Sequence, residues 1–186
     1  MANWYQFLLP TLFGWLLGLI GTAVYDAFKQ SQKQKAVGRV IRAEIEVLFK
    51  RVVEDLHFME EMEDVALAWQ PAEWSYRPPR SIYHNSVSYL QALPGRVLID
   101  VVRFYQLLDR VDVTRELRNS AGPTGYAFLY FGETKALREL RDIGRRVIRQ
   151  LADLEGISGA EEELNRLERE AIEEADKVIK LYRSEE

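Results

Sequence analysis

The chain contains no cysteine. Disulfides, thiolate catalysis and cysteine-ligated zinc or iron–sulfur centres are therefore excluded, and the absence fits a reducing compartment. Histidine is scarce too, with only His57 and His84. A nucleophile, base and orienting group have little to draw on, and no Gly-x-Ser-x-Gly elbow marks such a set. The phosphate-cradling patterns Gly-x-x-x-x-Gly-Lys-Ser/Thr and Gly-x-Gly-x-x-Gly are missing. No strand-like alternation, internal repeat or low-complexity tract is present. With 25 basic and 29 acidic side chains among 186 residues, the net charge is -4, which leaves no nucleic-acid footprint. These absences point away from an enzyme, a cofactor and a small-molecule substrate.

Charge is also lacking from Trp4 to Tyr25, and this absence says something positive. A helix of that length reaches about 33 Å, enough for a hydrocarbon layer of about 30 Å. Trp4, Tyr5 and Tyr25 suit interfacial aromatic belts. No basic n-region precedes the run, which disfavours a cleaved signal. The expectation is a transmembrane anchor at 1–28, a single-pass span, followed by a cytoplasmic helical bundle at 29–186. Lys29, Lys33, Lys35, Arg39 and Arg42 follow with no acid before Glu44. The positive-inside rule then places the N-terminus outside and the C-terminal domain in the cytoplasm. The same basic cluster suits anionic headgroups of the lipid bilayer. Gly14, Gly18 and Gly21 lie on one helix face and suit close helix–helix packing in the membrane. Pro10 is placed to kink the span or end its first turn.

The remaining pattern is helical. Val37, Ile41, Ile45, Leu48, Val52, Leu56, Met59 and Met62 recur at steps of three and four, and nothing between Tyr25 and Val37 breaks a helix. The span is expected to continue unbroken to about Ala68. Trp69 to Arg80 holds three prolines and reads as a loop. Ser81 caps a short helix to about Ala92, and Leu93-Pro94-Gly95 breaks it. The next helix, Val97 to Val111 and onward to Asn119, is apolar on more than one stripe and reads as the central element. A further helix is expected from about Thr124 to Leu154, with Leu137, Leu140, Ile143, Val147, Leu151 and Leu154 on one face. Gly156 and Gly159 bracket a turn, Ser158-x-x-Glu161 is a capping-box pattern, and the last helix carries Leu164, Leu167, Ala171, Ala175, Val178 and Tyr182 at near-heptad, coiled-coil-like steps. The fold class is all-α, an antiparallel bundle of four to five helices. Helix lengths bring the segment from Gly122 to Gly132 back toward the base of the first helix, with the acidic last helix descending to shield the basic cluster.

Candidate surfaces follow. Trp69, Trp74, Tyr76, Arg77 and Arg80 combine the residue types that dominate hot spots and form a candidate partner loop; a connection that pins aromatics onto the bundle end is the plainer reading. Tyr126, Phe128, Tyr130 and Phe131 are candidate interfacial aromatics, or core. Glu54-x-x-His57 is half of a carboxylate di-metal pattern, but Asp55, Glu60 and Glu61 crowd His57 as on a solvated face. His84 has Ser81 three residues before it, not an acid, so no metal site is expected.

Two stretches carry a resemblance. Glu44 and Ile45, then Tyr83, Asn85, Leu90, Leu93, Pro94, Val101, Val102, Phe104 and Tyr105, form a pattern that resembles uncharacterised small bacterial membrane proteins with one span and a cytosolic helical domain. The likeness covers about a third of the chain and implies a bacterial inner-membrane location, but no activity or site residue. The resulting expectation is a noncatalytic, membrane-tethered scaffold or accessory subunit, self-associating as an oligomer or docked to a protein partner. The alternatives are a membrane-acting effector or sensor that assembles through its span and, more remotely, a di-metal carboxylate enzyme.

Overall fold

The computed structural model describes residues 5–63 and 90–184, with side chains at 21–63, 90–122 and 125–184. These residues form four helices: α1 (Tyr5–Glu61), α2 (Gly95–Ser120), α3 (Pro123–Glu155) and α4 (Ala160–Ser184). No strand occurs among the described residues, in agreement with the all-α expectation.

α1 is 57 residues long, or about 85 Å at 1.5 Å per residue. It runs through Pro10 and past Tyr25 without a break. Its first part stands off the bundle, because every described side chain from Gly21 to Lys33 is exposed. Packing begins at Val37 and Gly38, where the Ile41, Ile45, Leu48 and Val52 stripe turns inward. We call the part before Val37 the arm.

No helix among the described residues is long and apolar enough to cross a membrane. This overturns the expected transmembrane, single-pass anchor at 1–28, the inner-membrane location and the orientation with the N-terminus outside. The reason lies in what the helix carries. From Gly21 onward, any stretch of spanning length includes Asp26, Lys29, Lys33 and Lys35 or the charges that follow them, and each is costly in hydrocarbon. The side chains of 5–20 lie outside those described.

α3 runs antiparallel to α1. Leu154 meets Gly38, Gly144 meets Phe49, and Tyr130 meets Met59. α2 lies against α3, with Phe104 beside Gly144 and Arg103 bonded to Glu139. α4 lies against α1, tied by Lys50 to Glu170 and by His57 to Asp176. Hence α1, α2 and α4 point one way and α3 the other. α1 and α3 are the shared spine, and α2 is not the central element expected of it. Its second stripe, Ile99, Val113 and Leu117, faces solvent.

The ends follow from local chemistry. Pro94 precedes α2 and its carbonyl accepts from Leu98. Pro123 opens α3, where its missing N–H costs nothing. Gly156 closes α3 at φ 79°, a left-handed conformation that glycine adopts freely. The expected box at Ser158 does not form as read. α4 begins at Ala160, and Glu161 accepts instead from Arg145 and Arg149. Two charge-assisted bonds outweigh a reach back to one backbone N–H.

Candidate interaction surface

The predicted site residues divide by depth. Gly14 and Gly18 lie in the stretch of α1 described by backbone alone, and Gly21 has open space around it. Beside Gly21, the arm exposes three large apolar side chains, Val24 (63%), Tyr25 (65%) and Phe28 (62%). A helix advances 100° per residue, so Gly21, Val24, Tyr25 and Phe28 share one face.

The basic cluster is not a single patch. Lys29 and Lys33 are exposed and Lys35 is half-buried. Arg39 and Arg42 converge on Glu155, at 3.5 Å and 2.8 Å, and Arg42 also reaches Glu46 at 2.8 Å. The Arg42 guanidinium is held above its ordinary value: burial pushes it down, but Glu155 and Glu46 outweigh that. The neutralising carboxylate therefore comes from the last turn of α3. α4 does not descend to this base but starts there, with Glu163 near Arg42.

Tyr126, Phe128, Tyr130 and Phe131 lie at the other end of the bundle from the arm, not near its base. The expectation had assumed a return stroke, but α2 runs parallel to α1 and carries the chain away again. Tyr126 and Tyr130 are buried in the core, with Arg118 over both rings, so they are not interfacial. The Tyr130 hydroxyl donates to the Met59 carbonyl in the last turn of α1, where carbonyls lack helical partners. Phe128 (80%) and Phe131 (52%) stay exposed. Trp69, Trp74, Tyr76, Arg77, Arg80 and His84 lie outside the described residues.

The half metal pattern is otherwise engaged. Glu54 accepts from Arg51 at 3.1 Å, and His57 Nε2 lies 2.8 Å from Asp176 Oδ1. No group of three metal-ligating side chains occurs among the described residues.

One arrangement escaped the sequence reading. Asp55, Arg115, Glu133 and Arg118 form a buried ionic cluster between α1, α2 and α3. Arg115 donates to Asp55 and to Glu133, both at 2.8 Å, and Arg118 lies 3.3 Å from Glu133. Burial lowers the tendency of Arg115 to stay charged, but the carboxylates of Asp55 and Glu133 raise it further, so its pKa rises. Arg51 joins at the rim, 3.2 Å from Asp55 and 3.1 Å from Glu54, so three cations and three anions leave the cluster neutral, which suits a bundle clamp rather than a ligand site. A cleft of about 500 Å³ lies at the α3–α4 turn, lined in part by Arg42, Glu163 and Arg166. Its charges are also spent on neighbours: Arg166 binds Glu163 and Glu170.

No protein-family model, curated protein or solved structure matches this chain.

Proposed function

We propose that the chain is a noncatalytic helical scaffold or accessory subunit that joins other protein chains through the arm of α1. The observation behind this reading is the arm itself. A helix that continues well past its own bundle, with Val24, Tyr25 and Phe28 bare on one face, has apolar surface that none of the described residues covers. Burying that surface in a partner releases about 25 cal/mol for each Å². The bundle behind it is filled with apolar side chains and clamped by paired ions, which supports the role of a rigid body that carries the arm.

The test compares the native full chain in cell extract with a Val24→Glu/Phe28→Glu variant. The native chain is expected to run in an assembly larger than its 21.7 kDa, and the variant to run alone with its melting temperature unchanged. A native chain that runs alone overturns the reading.

A further inference from the structure

We draw no further inference here: the strongest candidate, the cleft at the α3–α4 turn, rests on the N-terminus of α4 with no second observation that points to a ligand, since its Arg42 is held by Glu155 and Glu46 and its Arg166 by Glu163 and Glu170.

Discussion

Glu133 offers the sharpest test of how the bundle is held. Its side chain is fully buried, at 0% exposure, on the core face of α3. It takes a 2.8 Å bond from Arg115 and stands 3.3 Å from Arg118. Replacing it with alanine removes one carboxylate from Arg115 and the carboxylate 3.3 Å from Arg118, while Asp55 stays shared by Arg115 and Arg51. Removing one partner of a buried pair typically costs about 3–5 kcal/mol, because the remaining charge stays out of water. Against a total stability of about 5–15 kcal/mol, that is a large fraction. At about 2–4 °C per kcal/mol for a domain of this size, the melting temperature should fall by about 6–20 °C. Urea unfolding followed by helix signal measures it, and the midpoint should drop with the slope unchanged. A second variant separates charge from packing. Glu133→Leu with Arg118→Met keeps the volume apolar and leaves Asp55 and Arg115 to pair, so it should recover a substantial part of the loss. If Glu133→Ala costs less than about 1 kcal/mol, or the paired substitution recovers nothing, the cluster is not the clamp described.

Two further outcomes follow from the core. A Cβ at Gly144 would lie 2.7 Å from Phe49 and 3.1 Å from Phe104, both rings fully buried, so Gly144→Ala should lower stability by up to about 2 kcal/mol in urea unfolding. The overpacking penalty of about 1–3 kcal/mol exceeds the helix-propensity gain of about 1 kcal/mol; a more stable variant would show that the rings yield. Burial, with Glu63 nearby, holds the Tyr130 phenol well above its ordinary value, so its stabilisation is complete below the unfolded-state value near about 10 and is lost as pH rises beyond it. Tyr130→Phe should cost about 1 kcal/mol at neutral pH through the lost bond to Met59, and its stability should fall less steeply than that of the native chain in unfolding measured above pH 10.

The helices were legible because their signals are local. Spacing placed the stripe from Ile41 to Met62, and Pro94, Pro123 and Gly156 marked ends that the fold uses. Depth and direction were not local. The two-striped α2 looked central, yet α3 takes that place, because neighbours decide which stripe is covered. The aromatics from Tyr126 to Phe131 could not be assigned an end of the bundle without knowing that α2 runs parallel to α1. The ionic cluster did leave a trace. Leu108, Val111, Arg115 and Arg118 keep one register, as do Tyr130, Glu133 and Leu137. Cations on one core stripe and an anion on another are what a buried pair requires, since isolated charges there would be prohibitive. The arm misled for a different reason. Hydropathy measures how much a segment avoids water and does not say what covers it.

What the arm does to the bundle depends on how it is rooted. α1 passes from arm to core without a linker. Gly38 brings its backbone against the Leu154 side chain, which would lie 3.2 Å from an added Cβ. One turn on, Arg42 donates to Glu155, and that carboxylate side chain is only 2% exposed. Both contacts fall on the last turn of α3, where a guanidinium also meets the negative end of the helix dipole. Any change in the arm's direction must therefore part Gly38 from Leu154 or Arg42 from Glu155, because no loop lies between to absorb it. The arm's direction is therefore fixed by the same contacts that seat α1 on the end of α3.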